Sequence, residues 1–402
     1  MINIIAGLDI GNGYVKGLTN ANKAEKNVPV DIPSCVATVP NPTDLPTTNV
    51  KEEIDEIFDR ANLSFESPLV TGIFGKTRAY LGRRGVQSGK PVSTFNLQAN
   101  RSKAKQPLSA VLVLSIIASA ALKAYYAETK SLPTEILKVN SKVSLALPIN
   151  EFRDHRDSYA DGFMKNSHIV CFHNFDIPVR VEIKFTKVFV TAEGASAQIA
   201  IVSKGEAFMN ALLADVRKNG IKLDGITAAD IINASGTLGI DIGEGTVNFP
   251  VFTGTHFNTD FSASLAQGYG TVLENSLEPL RAAHSVFNNR KALSEFLLAG
   301  SNPLRQSAYD SAVTIVNSEA MMLVEAIVKE FTNILSQAGR AIDVVYVYGG
   351  GASPIRELLY PELISASEEF SQSGNGLPIM YLDSRYSRVL NREGLFQLAM
   401  TK

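Results

Sequence analysis

The sequence predicts an α/β protein made of two related domains, and three observations carry that expectation. Strand-like and helix-like segments alternate twice over along the 402-residue chain. An Asp-x-Gly-x-Gly turn follows an apolar run in each half, at Asp9 and again at Asp241. A third apolar run ends in Gly349–Gly350–Gly351, 108 residues after the second aspartate. A chain of this length is long for one core and comfortable for two. The repeated turn points to an ancient duplication, with no short-period repeat beside it.

The elements follow in order. Residues 2–10 form a short apolar run that stops at Gly11, as a buried strand does. Gly11–Asn12–Gly13 is a tight turn, and residues 14–18 alternate like the returning strand of a hairpin. Residues 28–46 carry five prolines and little periodicity, so they are expected to be extended or looped. Residues 52–60 have a charged, helix-compatible pattern. Residues 108–129 read as a long helix, apolar nearly all round at first, which should lie under a sheet. Residues 142–148 and 179–190 read as strands, and 193–202 as the start of a helix rich in small residues. Residues 231–235 and 239–249 return to strand character, and a helix follows Gly268–Tyr269–Gly270. Residues 311–337 are a long amphipathic helix with Ile315, Met322, Val324, Ile327, Val328, Phe331 and Leu335 in its apolar stripe. Residues 344–348 are a strand, and 392–400 a short closing helix. The expected domains are 1–192 plus 380–402, and 193–379.

Composition narrows the function classes. The chain is 45% hydrophobic and 19% charged with a formal net charge of −2, so its total charge implies neither nucleic acid nor an anionic membrane as partner. Cys35 and Cys171 lack cysteine or histidine partners at metal-ligand spacing, which suits a reducing cytoplasm. The first nine residues have no basic region or cleavage motif, so no signal peptide is expected. The most apolar run, 110–122, is shorter than the roughly 20 residues that span a bilayer. One local charge bias stands out. Residues 75–105 contain Lys76, Arg78, Arg83, Arg84, Lys90, Arg101, Lys103 and Lys105 and no acidic residue. Two readings fit it: a solvated surface, or a contact surface for another subunit or an acidic partner.

Both Asp-x-Gly-x-Gly pieces have one physical logic. A strand delivers an aspartate at its end, and glycines remove side chains so that backbone N–H groups can approach an anion. A carboxylate near phosphates is repelled unless a cation lies between, and Mg²⁺ is the hard, oxygen-seeking ion that suits. Asp9 and Asp241 would then hold the metal through its waters. Gly11, Asn12, Gly13 and Tyr14 form the first loop, and Lys16 supplies positive charge for phosphate oxygens. Gly243, Glu244, Gly245 and Thr246 form the second. Gly349, Gly350, Gly351 and Ala352 let a flat nucleoside press on backbone. Hydrolysis needs a group that orients water. Glu193 ends the apolar run Val188–Phe189–Val190–Thr191–Ala192 and opens the small-residue helix. Glu193 and Asp241 are therefore the candidate catalytic residues. The competing reading makes Glu193 a first-turn glutamate favoured only by the helix dipole. No P-loop spelling occurs, and His155, His168, His173, His256 and His284 are scattered.

The order and spacing of these pieces resemble the actin superfamily, which includes actins, heat-shock ATPases and sugar kinases. Asp9 to Lys16 looks like its first phosphate loop, Asp241 to Val247 like its second, Gly349 to Ala352 like its adenosine motif, and Glu193 like its water-positioning residue. Within the superfamily, Ile32–Pro33–Ser34, the glutamate at the connecting helix and Arg392–Glu393–Gly394 are similar to bacterial plasmid-segregation actins of the ParM and Alp type. Asn248 departs from the aspartate common in that group just past the threonine. The resemblance implies an actin-like fold, two related α/β domains with a nucleotide cleft between them. It implies ATP or ADP with Mg²⁺ as cofactors and a cytoplasmic ATPase that polymerises with itself. It also implies segregation of plasmid DNA through a DNA-binding adaptor at a centromere-like site, with neither direct sequence-specific DNA binding nor a membrane. The alternative within the fold is a sugar or metabolite kinase, which needs a carboxylate base near an acceptor hydroxyl. No convincing one stands out in the sequence.

Overall fold

A computed structural model describes residues 1–40, 42, 47, 49–96, 102–370 and 376–401. The chain divides into two compact units, Met1–Ala200 with Asn391–Lys402, and Ile201–Leu390.

The first unit is built on a ten-stranded sheet. Its strands are β1 (Ile2–Ile10), β2 (Tyr14–Ala21), β3 (Val28–Pro33), β4 (Cys35–Val39), β5 (Asn62–Glu66), β6 (Arg78–Leu81), β7 (Val92–Thr94), β8 (Leu137–Leu147), β9 (Ser167–Phe172) and β10 (Val179–Ala192). They lie in the order β3-β2-β1-β8-β10-β9-β5-β6-β4-β7, with β8 parallel to both β1 and β10. The second unit carries β11 (Gly236–Ile242), β12 (Val247–Thr253), β13 (His256–Leu265), β14 (Val344–Tyr348) and β15 (Ile379–Tyr381), ordered β13-β12-β11-β14-β15. In this sheet β14 is parallel to β11 and β15, and the β11-β12-β13 run is antiparallel. The stretch β3-β2-β1-β8-β10 has the same order and the same pattern of directions. The duplication read from two turns is thus a duplication of a five-stranded frame.

In the first unit the helices are α1 (Val50–Asp55), α2 (Ile57–Arg60), α3 (Gly82–Gln87), α4 (Pro107–Thr129) and α5 (Ile149–Met164), and α6 (Ala195–Ser203) begins there. The second unit holds α7 (Gly205–Lys218), α8 (Ala228–Ile232), α9 (Tyr269–Ala282), α10 (Arg290–Leu298), α11 (Gln306–Ala338), α12 (Arg356–Ser367) and α13 (Ser384–Ser387). The last helix, α14 (Leu390–Thr401), lies almost wholly in the first unit. With Pro107 at its first turn, α4 is buried from Leu108 to Leu122 against β1 and β2. Its 23 residues are long enough to cross a bilayer, unlike the shorter run read from sequence, and its burial in the sheet accounts for its apolarity. The end of the chain packs on the first strand backbone to backbone. A Cβ on Gly7 would lie 2.1 Å from the Phe396 nitrogen, and one on Gly394 would lie 1.8 Å from the Ser196 oxygen. Glycine is required at both contacts.

The proline-rich stretch is extended, as expected, and contains two strands, β3 and β4. Pro29 is accommodated because β3 is the sheet's edge, bonded only to β2. Pro46, at the end of that stretch, lies outside the described residues. Residues 231–235 are not a strand. The Thr227 hydroxyl accepts the Asp230 amide at 3.3 Å, the Asp230 carboxylate accepts the Thr227 amide at 2.8 Å, and this capping box starts α8. In α11, Met322 faces out at 69% exposure. Val324, Ile327, Phe331 and Leu335 of the expected stripe are buried, and Ala312, Val316, Ala320 and Leu323 extend it. Glu193 stays with β10, and Met380 and Tyr381 belong to β15 of the second sheet.

Candidate functional site

The first hairpin holds Asp9 opposite Lys16 and Ile10 opposite Val15, with residues 11–13 as its turn. Ser34 fixes the turn's course. Its hydroxyl donates to the Gly11 carbonyl at 2.5 Å and its amide to the Gly13 carbonyl at 2.9 Å. This gives a physical role to the serine of Ile32–Pro33–Ser34. A side chain at Gly11 would strike the Tyr14 carbonyl at 2.7 Å. Tyr14 itself is exposed.

Glu193 lies in the turn between β10 and α6. Its amide donates to the Leu147 carbonyl at 2.7 Å, and Gly194 completes the turn at φ +79°. The carboxylate is not on a solvated first turn. It is 12% exposed and pairs at 2.6 Å with the ammonium of Lys103, itself 6% exposed. Lys103 sits over the Phe95 ring, 5.6 Å from its centroid. The turn carrying Lys103 is strapped to the first turn of α5. Glu151 accepts from the Ser102 hydroxyl at 2.6 Å, the Lys103 amide at 3.0 Å and the Ala104 amide at 3.3 Å.

These groups share one electrostatic environment with Asp9. Asp9 keeps some exposed surface, yet protein atoms enclose its carboxyl. Burial first, and then the Glu193 charge, push its pKa up to about 6, against the pull of Lys103 and Lys16. A carboxylate held up in this way by a like-charged neighbour is one that a cation would relieve. Among the described residues no three metal-binding side chains cluster. A divalent ion here would need oxygens from water and phosphate as well, which fits Mg²⁺ better than a metal caged by protein.

The second hairpin places Asp241 opposite Asn248 and Ile242 opposite Val247. Its turn is closed by the Gly243 amide, which donates to the Thr246 carbonyl at 2.9 Å. The start of α9 holds it from outside. The Tyr269 and Gly270 amides donate to the Gly243 and Glu244 carbonyls at 3.0 and 2.8 Å. Gly245 sits at the tip between them, beside Thr246. The Glu244 carboxylate pairs with Arg290 at 2.8 Å, so this loop offers its backbone more readily than that side chain. Asn248 is buried and occupied. Its amide nitrogen donates to the Thr246 hydroxyl at 3.3 Å, and its oxygen accepts from Ser264 at 2.8 Å. The residue that departs from the related spelling therefore ties the hairpin to β13.

The third turn packs on the second hairpin. Gly349 has φ +98°, and a Cβ there would meet the Asp241 carboxylate at 2.5 Å and the Ile242 carbonyl at 2.4 Å. The Gly351 amide donates to that same Ile242 carbonyl at 2.8 Å. Gly350 has open space where a side chain would be. Ala352 is buried, its carbonyl accepting the Tyr381 hydroxyl at 2.6 Å. A short 3₁₀ turn, Ser353–Ile355, follows, and α12 proper starts only at Arg356. Asp9, Lys16 and Glu193 are thus gathered in the first unit, and 241–246 with 349–352 in the second.

Sequence reasoning missed Lys103, Glu151, Arg290 and the function of Ser34. Lys103 lies 90 residues from Glu193, and no spacing rule links them. Within the basic stretch Lys76, Arg83, Lys90 and Lys105 are exposed, while some of its cations have partners within the chain. Arg83 pairs with Asp59, Arg84 with Glu53, and Lys103 with Glu193. Arg101 lies outside the described residues. His168 is a core residue, its ring bonded to Ser67 and to the Phe163 carbonyl, and His173 bonds Ser64.

No protein-family model matches the sequence, and no curated protein matches it. Solved structures do. The chain is similar to an archaeal actin homologue at 12% identity, covering 99% of each chain with a TM-score of 0.63. It is similar to Bacillus thuringiensis ParM with ATP at 15% identity, covering 99% of this chain and 98% of that one with a TM-score of 0.62. The actin-like protein Alp7A gives 16% identity, 99% and 96% coverage and a TM-score of 0.64. With a five-stranded frame occurring twice and an Asp-x-Gly hairpin on each copy, the chain has the actin-like fold of the ParM and Alp type.

Proposed function

We propose that this chain is a cytoplasmic actin-like ATPase that polymerises on binding ATP and disassembles after hydrolysis. In this reading it segregates plasmid DNA through a DNA-binding adaptor, reading no DNA sequence itself and needing no membrane. The observation that carries the proposal is the Glu193 carboxylate, shielded from solvent, ion-paired and sharing its field with Asp9 beside the first glycine turn.

Each residue has a task. The first loop, Gly11 to Tyr14, and the second, Gly243 to Thr246, offer backbone N–H groups to phosphate oxygens. Lys16 adds a cation and Thr246 a hydroxyl. Gly349, Gly350, Gly351 and Ala352 give the nucleoside a surface without side chains. Asp9 and Asp241 would hold Mg²⁺ through its waters, and the ion would neutralise charge on the phosphate oxygens. Glu193 orients the attacking water and accepts its proton as the terminal phosphate leaves ADP. The ParM neighbour with ATP supports the choice of nucleotide.

The test is light scattering and phosphate release on adding ATP and Mg²⁺ to the purified protein. Scattering should rise above a critical concentration, with phosphate release following it. Hydrolysis that starts only when a sugar is supplied, with no scattering, would replace this reading by the kinase.

A further inference from the structure

Lys103 has no role in the function proposed above, yet it is among the most enclosed charged side chains of the first unit. Burying an ammonium is costly unless its partners are well placed. Three features place them. The ammonium reaches the Glu193 carboxylate at 2.6 Å. The Phe95 ring lies beside the same ammonium. The backbone that carries Lys103 is fixed by Glu151, which takes one hydroxyl and two amide hydrogens from three successive residues. Such a strap limits how far the lysine can move.

We propose that Lys103 is a positioning residue for hydrolysis: it holds one oxygen of Glu193 and so aims the other at the attacking water. The inference rests on the reading of Glu193 as the water-orienting group. A carboxylate has two oxygens and free rotation about its last bonds. An ion pair at one oxygen, anchored through a rigid turn, removes that freedom before substrate arrives. Part of the basic stretch is then internal machinery, with Glu151 as the outer member of a Glu151–Lys103–Glu193 relay of contacts.

The relay makes a prediction that simple fold support does not. Removing Lys103 should slow the chemical step without weakening nucleotide binding, and should do nothing further once Glu193 is disabled. The experiment compares wild type, K103M, E193Q and K103M/E193Q. It measures single-turnover ATP hydrolysis, and affinity by titration with a fluorescent ATP analogue. K103M should hydrolyse about 10–100-fold more slowly, the loss expected for a misaimed catalytic group, with affinity within about threefold of wild type. The double variant should match E193Q within about threefold, because the two residues act as one unit. If K103M alone does not fold, K103R, which keeps the buried charge but changes the donor's reach, takes its place in the same comparison, with the same slowed single-turnover rate expected. A wild-type rate in K103M beside a slow E193Q overturns this inference alone. Multiplying losses in the double variant overturn it too. A wild-type rate in E193Q overturns the parent reading of Glu193, and this inference with it.

Discussion

The two five-stranded frames share strand order and direction, yet the hairpins they carry are furnished differently. The first hairpin keeps its ionisable groups in play. Glu193, Lys103 and Lys16 all act on Asp9, whose carboxyl is pushed up to about 6, chiefly by burial, and Glu193 pairs with Lys103. The second is locked into its surroundings. Asp241 lies against Gly349, Glu244 is paired to Arg290, and Asn248 bonds both Thr246 and Ser264. A duplicated backbone thus supplies two similar loops, and side chains divide the labour. In the proposed reading the first loop supplies most of the charged groups, and the second, with its glycine-lined third turn, a shaped backbone beside Asp241. The first frame also gained β9, β5, β6, β4 and β7, and with them the long connections from which Lys103 arises.

Four substitutions or titrations test that division, beginning with the largest effect. Glu193→Gln should slow hydrolysis about 100–1,000-fold, or roughly 3–4 kcal/mol of barrier, while assembly seen by light scattering persists. A variant that hydrolyses at the wild-type rate would remove the first frame's claim to the chemistry. Gly349→Ala should act on the second frame through shape alone. A methyl group there meets Asp241 and Ile242 well inside contact distance at a positive φ. Such a clash should cost about 2–4 kcal/mol of stability, read as a lowered denaturation midpoint. An unchanged midpoint would mean the third turn is not seated on the second hairpin.

The third test is the pH dependence of Mg-nucleotide affinity. Asp9 titrates near 6 in the free protein, above the ordinary 3.8. Its neutral form is therefore favoured by the fold, and the stability it brings is present at low pH and lost as pH rises from 3.8 to 6. Mg²⁺ requires the ionised form, so affinity should fall up to about tenfold per unit below pH 6. Asp9→Asn should flatten this profile. A profile unchanged by that substitution would place the titrating group elsewhere.

The smallest effect has the opposite sign. Burial depresses His168, and burial with the Arg78 charge depresses His173 to about 4, both in the first unit, whereas His256 and His284 of the second are exposed. His173 contributes stability that is full above pH 6.5 and is lost as pH falls towards 4. It is about half solvated, so about 1 kcal/mol is the appropriate scale after screening. Amide exchange at pH 5 against pH 7 should show β9 and β5 loosening before β11 and β14. Uniform loosening would deny the asymmetry.

Much of this was legible in the residues because it is local. A strand, an aspartate and two glycines spell each hairpin within eight positions, and the triple glycine spells the third turn. The five-stranded frame was visible only as the echo of those spellings. What stayed hidden is long-range or contextual. Glu193 meets Lys103 across 90 positions and Glu244 meets Arg290 at the start of α10, pairings that only the folded chain creates. Thr227 and Asp230 turned an apolar pair of isoleucines into a helix. The prolines of residues 28–46 left strand and loop equally open, and the edge position of β3 settles Pro29.

Asp9 and Asp241 are the proposed holders of Mg²⁺ for the nucleotide. Isothermal titration of Mg-ATP into the wild-type protein, Asp9→Ala and Asp241→Ala tests that assignment most directly. One nucleotide per chain is expected for the wild type, and at least about tenfold weaker binding for each variant. Wild-type affinity in either variant, or two independent nucleotides per chain, would contradict it.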